Sequence, residues 1–178
     1  MEETVSAVEP MPTIYLSDPH IAARVSLLQR TPQAPKHLYG RVLCGILQWV
    51  FTTNEGFSVS QEGMGMGSNL CPDFTVLRLL TKPGGSSYEY DFLVGETRTP
   101  GEPWQASADH LHAVCANNNN DSKKVYGMLE VGFEIQFYKH DNHQFEAISD
   151  RMYLVDDVHN VIAWAQRIKA NPMPFVNT

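Results

Sequence analysis

Apolar residues in the stretch "KHLYGRVLCGILQWVF" (36–51) recur as Leu38/Tyr39, Val42/Leu43, Ile46/Leu47 and Val50/Phe51. This stripe has a period near 3.6 and predicts a helix, opened by Pro35. A strand would need alternation, which is absent. Further along the pattern changes. Residues 73–81 ("DFTVLRLLT") and 88–98 ("YEYDFLVGETR") read as strands joined by the turn "KPGGSS". Pro103 opens a second strong helix, "PWQASADHLHAVCA", which the tract "NNNND" ends. "KVYGMLEV" and "FEIQFYKHD" predict two more strands with Gly132 between them, and "FEAISDRMYLV" a short extended segment. The final helix, capped by Asp156 or Asp157, runs to Lys169 with Val158, Val161, Ile162, Ala165 and Ile168 on one face.

The remaining segments are weaker. "AARVSLLQR" (22–30) predicts a short helix. "SVSQEGMGMGSNL" has the G-x-G look of a phosphate loop but lacks the strand before and the helix after, so it is read as a plain loop. The first 20 residues, with Pro10, Pro12 and Pro19, predict a mobile N-terminal arm ahead of one domain over 21–178. The element order predicts an α/β (α+β) fold, with a central mixed β-sheet and helices on both faces.

Composition narrows the classes. The chain has 178 residues, 43% hydrophobic and 19% charged, enough to close one core without staples. Three cysteines, Cys44, Cys71 and Cys115, have no regular spacing and argue against a disulfide framework; each is expected as a small buried hydrophobe. With no apolar run of about 20 residues and an acidic start, the chain is expected inside the cell, in cytoplasm or nucleus, with no membrane partner. A net charge of −7 with scattered basic residues is mildly unfavourable to nucleic acid, although a local patch can sit on an acidic protein.

The candidate chemistry lies in the hairpin. If Gly84 and Gly85 are the two central residues of a tight turn, paired positions sum to 169 and Asp73 falls directly across from Glu96. Alternation puts Glu96 and Arg98 on one face of their strand. Like charges directly opposite are destabilising, so the pair needs a cation, either Arg98 or a bound metal. Two carboxylates suit Mg²⁺ or Mn²⁺, which take oxygen ligands together with water and phosphate oxygens. His110 and His112, two apart on a helix, point to different faces and are read as core or surface residues. Tyr88, Tyr90 and Trp104 are read as packing residues.

This constellation resembles the PD-(D/E)XK nuclease-like superfamily, in particular its poorly characterised fungal members. Pro72-Asp73 matches the "PD", Glu96-Thr97-Arg98 matches the acid-x-Lys triplet, and "KVYGMLEV" matches a later strand. The resemblance covers roughly residues 36–140 and implies a restriction-endonuclease-like core. It further implies metal-dependent hydrolysis of phosphodiester bonds in DNA or RNA, with Asp73 and Glu96 on Mg²⁺ or Mn²⁺ and Arg98 at the scissile phosphate. Arg98 stands where the family has Lys, and the helix over 36–51 has no acid where many members carry Glu. Those departures favour the alternative, a catalytically degenerate fold that serves as a protein- or nucleic-acid-binding module.

Overall fold

The computed structural model describes residues 13–61 and 70–176. Helix α1 (Pro19–Arg30) begins at Asp18, whose carboxylate accepts from the backbone N–H groups of His20 and Ile21. It leads into α2 (Lys36–Val50), which buries Tyr39, Val42, Leu43, Ile46, Leu47 and Val50, the stripe read from the sequence. Strands β1 (Phe57–Gln61), β2 (Phe74–Thr81) and β3 (Ser87–Arg98) form an antiparallel meander. Helix α3 (Trp104–Ala116) then carries the chain to β4 (Lys124–Val131), which lies parallel to β3. The antiparallel strands β5 (Glu134–Asp141) and β6 (Gln144–Ala147) extend the sheet, and the short β7 (Met152–Tyr153) also pairs with β5. Helix α4 (Val158–Ala170) closes the chain.

The fold is α+β, with a mixed seven-stranded sheet ordered β1-β2-β3-β4-β5-β6 and β7 off that path. Two cores mark its two faces. One joins α1, α2 and α4 to Phe74, Val76, Phe92, Met128 and Phe137. The other is smaller and joins Ala108, Leu111, Val114 and Cys115 of α3 to Val94, Val125 and Leu129. Strand β4 shows the alternation directly: Tyr126 and Met128 face the larger core, Val125 and Leu129 the smaller. Among the described residues, no helix is long and apolar enough to cross a membrane.

Four local expectations change. Ser58–Gln61, the start of the segment read as a loop, belong with Phe57 to an edge strand on β2; the alternation was too short to register beside the glycines that follow. Residues 62–69 of that segment, and 1–12 of the predicted arm, lie outside the described residues. Residues 13–20 of the arm join the fold, with Tyr15 completely buried and its hydroxyl donating to the Leu154 carbonyl at 2.5 Å. Cys44 and Cys115 are buried as expected, but Cys71 is exposed beside Pro72.

The hairpin is the most instructive difference. Near the turn, Thr81 pairs with Ser87 and Leu77 with Asp91, so positions sum to 168 and the loop is centred on Gly84 rather than between two glycines. Lys82 N–H donates to Ser86 O at 2.7 Å, leaving Pro83, Gly84 and Gly85 as a three-residue connection, with both glycines at positive φ. A β-bulge then intervenes. The register shifts between Val76 and Leu77, and Phe92 becomes an extra residue on β3. Beyond it Val76 pairs with Leu93 and Phe74 with Gly95, and the sum returns to 169.

Candidate active site

The bulge decides which face the acids occupy. Before it, Tyr90 and Phe92 point to the larger core; after it, Leu93 does, and Val94 points to α3. Glu96 and Arg98, in step with Val94, are thereby turned to the α3 side. On β2, continuing the register one step past Phe74–Gly95 sets Asp73 across from Glu96, and Asp73 N–H donates to Gly95 O at 2.9 Å. Without the extra residue the two acids would lie out of step. Bulges that re-aim a side chain are over-represented beside active sites.

Each acid has a cation. Lys36, the first residue of α2, reaches both oxygens of Asp73, at 2.8 and 2.7 Å, and Thr97 N–H donates to the same carboxylate at 2.8 Å. Arg98 reaches Glu96 Oε2 at 3.0 Å, and His110 Nδ1 on α3 stands 3.3 Å from the same oxygen. Arg98 also lies 3.9 Å from Glu102. The Lys36–Asp73 pair is partly exposed and on its own would contribute about 0–1 kcal/mol. Glu96 differs. Its side chain is 2% exposed, and Oε1 has no hydrogen-bond partner among the described residues.

Burial, followed by the charge of Asp73, pushes the Glu96 carboxyl up to about 7, against the relief given by Arg98 and Lys36. Buried charge of this kind is weak evidence for stability and better evidence for a site. A third acid lies beneath the sheet. Glu130, on β4 beside Thr97, is completely buried. Burial raises it well above the usual carboxylate range, against a smaller relief from the Thr97 side chain, with Asp73 adding to the rise. Neither of its oxygens has a hydrogen-bond partner among the described residues.

A pH dependence follows. Between the Glu96 value when unfolded, near 4.5, and its folded value of about 7, the native state binds the extra proton. Stability from this group is therefore full below 4.5 and is lost as pH rises toward 7, by on the order of 3 kcal/mol. Urea unfolding at pH 5 and pH 8 should show Glu96→Gln losing less stability over that interval than the native chain. Equal losses would remove Glu96 as the cause.

The predicted Asp73, Glu96 and Arg98 thus come together, and sequence reasoning missed Lys36, His110 and Glu130. Two of these carried a signal. A cation at the first position of a helix is opposed by the helix dipole, which makes Lys36 conspicuous unless an acid faces it. Glu130 is a lone acid in an apolar central strand, where a charge is expensive. His110 gave no such sign, because its partner lies on another element. Among the described residues, no three or more His, Cys, Asp or Glu side chains group as metal ligands, so the metal candidate is the two-acid pair. Tyr88 and Tyr90 pack on Phe175, and Trp104 on Arg151, as packing residues should. No family model, curated protein or solved structure matches this chain.

Proposed function

We propose that this domain is a metal-dependent nuclease of PD-(D/E)XK type that hydrolyses phosphodiester bonds in DNA or RNA, acting within the cell in cytoplasm or nucleus. The observation that carries the reading is the bulge-corrected register, which sets Asp73 and Glu96 on one face. The order α2-β1-β2-β3-α3-β4, antiparallel through β3 and parallel at β4, supports it as the element order the resemblance implies.

The residues fit a hard divalent cation. Glu96 Oε1 is an oxygen without a partner among the described residues, and Asp73 neighbours the same carboxyl, so the two would hold Mg²⁺ or Mn²⁺ once Lys36 swings aside. When bound, such an ion activates water and steadies charge on phosphate oxygens. The other roles fall to the chain itself. Arg98, 18% exposed, can turn its guanidinium from Glu96 toward a phosphate. Lys36 supplies the compact ammonium that the Glu96-Thr97-Arg98 triplet lacks. Glu96 must lose its proton to act as a ligand, so ion affinity should rise with pH through about 7.

Mn²⁺ should raise the melting temperature of the native chain and not that of Asp73→Ala, because an ion bound only to the native site stabilises by mass action. Cleavage of single- or double-stranded DNA or RNA with Mg²⁺ or Mn²⁺, lost in Asp73→Asn, is the functional test. Native protein inert on all four substrates would overturn the enzyme reading.

A second reading has its own observation. Both Asp73 oxygens are held by Lys36 and Glu96 is held by Arg98, so the acids are balanced without an ion. That balance favours a degenerate nuclease fold used for protein or nucleic-acid binding. Here Mn²⁺ would shift neither protein.

A further inference from the structure

A small cavity of about 240 Å³ opens on the α3 face beside Pro72. Its walls include Cys71, Pro72, Thr75, Asp91, Val94 and Asn119. It is smaller than the roughly 300–1,000 Å³ typical of drug-sized ligands. Two of its polar side chains are built into the fold. Asp91 is 6% exposed and Thr75 5%. Asn119 holds one Asp91 oxygen, Oδ2, through its N–H at 2.8 Å and its side-chain amide at 3.3 Å. Asn120 fastens the Asp91 backbone, accepting from its N–H at 2.9 Å and donating to its carbonyl at 2.7 Å. The Asp91 carboxylate and the Thr75 hydroxyl are thus buried polar groups in the wall of the cavity.

Such a pocket asks for a hydrogen-bond donor on a small apolar body. An ionised carboxylate only accepts, a hydroxyl does either, and Val94 and Val114 supply an apolar wall. Its position narrows the ligand. Thr75 and Val94, a register pair, lie two residues along their strands from Asp73 and Glu96 and on the same face. At about 3.3 Å per residue the pocket begins roughly 7 Å from the acids, and Asp91, paired with Leu77 four residues along β2 from Asp73, lies roughly 13 Å from them. That span suits a phosphate held at the acids and the base of a neighbouring nucleotide reaching Asp91.

We propose that this pocket is a nucleobase subsite that takes a base carrying an exocyclic amino group, and so biases the domain toward cytosine or adenine over thymine next to the phosphate bound at Asp73 and Glu96. Asp91 accepts the amino group, as carboxylates accept from cytosine N4. Thymine offers carbonyl oxygens on that edge, which face the carboxylate unfavourably. The inference rests on the nuclease reading for its ligand, but base preference in binding does not require cleavage.

The test uses the full chain without divalent metal and fluorescein-labelled hexamers of dC, dA and dT, read by anisotropy at low salt. The native protein should bind dC and dA about five- to tenfold more tightly than dT, the lower range for one base-edge contact. Asp91→Asn should erase that preference. Because Asp91 also anchors Asn119, Thr75→Val provides a second variant of similar shape, expected to weaken dC binding while leaving dT binding unchanged. Preference without cleavage under any metal would keep the subsite and sink the nuclease. Cleavage with equal binding of all three hexamers, or no binding of any, would overturn the subsite.

Discussion

Replacing Gly95 with alanine should destabilise the protein by about 3 kcal/mol, at the upper end for overpacking a core. A Cβ at this position would lie 1.8 Å from the Phe74 ring, with two further ring carbons at 2.3 and 2.6 Å. Phe74 is 1% exposed and cannot swing into solvent. Glycine is needed here for a close approach, since its φ is not in the left-handed region. The clash is also local to the chemistry, because Phe74 and Gly95 are the register pair adjoining Asp73 and Glu96. Urea unfolding checks it, and combining Gly95→Ala with Phe74→Leu should cost less than the sum of the two, since the smaller side chain vacates the overlap. A loss under about 0.5 kcal/mol for Gly95→Ala, the level of an ordinary surface change, would mean that the ring is free to move.

The same pair shows how far the site was legible in the sequence. Counting outward from Gly84-Gly85 predicted Asp73 opposite Glu96, and the two do face each other, but the count held through two offsetting departures. The loop takes three residues, which lowers the sum by one, and the bulge at Phe92 restores it. Turn chemistry was readable because glycine and proline act locally. The bulge was not, because whether "DFLV" accommodates an extra residue depends on which face each neighbour finds to pack against, and that is settled by α2 and α3 together. The helices were legible for the opposite reason: the apolar stripe of α2 is a property of its own sequence, and the same residues are buried.

What the sequence withheld were partners supplied by other elements. Lys36 is separated from Asp73 by 37 positions, and the two meet only because the start of α2 lies against the start of β2. His110 was weighed against His112 alone, and the relevant neighbour was Glu96 across the α3–β3 packing. The asparagine tract was read as a helix stop. It does end α3, but Asn118 and Asn120 are buried and bind the backbone, with Asn120 bridging Asp91 on β3 to the Lys124 carbonyl on β4. Polar residues read as solvent punctuation can be the hydrogen-bond partners of a sheet interrupted by a bulge.

The two cations offer the sharpest division between an active and a decayed nuclease. In the enzyme, Arg98→Ala should lower the cleavage rate by roughly 10²-fold or more, the scale seen when one preorganised charge-stabilising donor is removed. Lys36→Ala should cost a similar factor, since Lys36 is the only compact ammonium described at Asp73. Arg98→Lys should also lose activity, because a planar fork holding both Glu96 and a phosphate is not replaced by a point charge. In a decayed domain the signs separate. Lys36 then acts as a built-in occupant of the ion site, so Lys36→Ala should strengthen Mn²⁺ binding by removing the ammonium from the Asp73 carboxylate, with no cleavage before or after the change. Measuring the Mn²⁺ shift in melting temperature beside the cleavage rate, for the native chain and all three variants, reads both quantities at once. Cleavage that ignores residues 36 and 98 alike would place the chemistry away from Asp73 and Glu96.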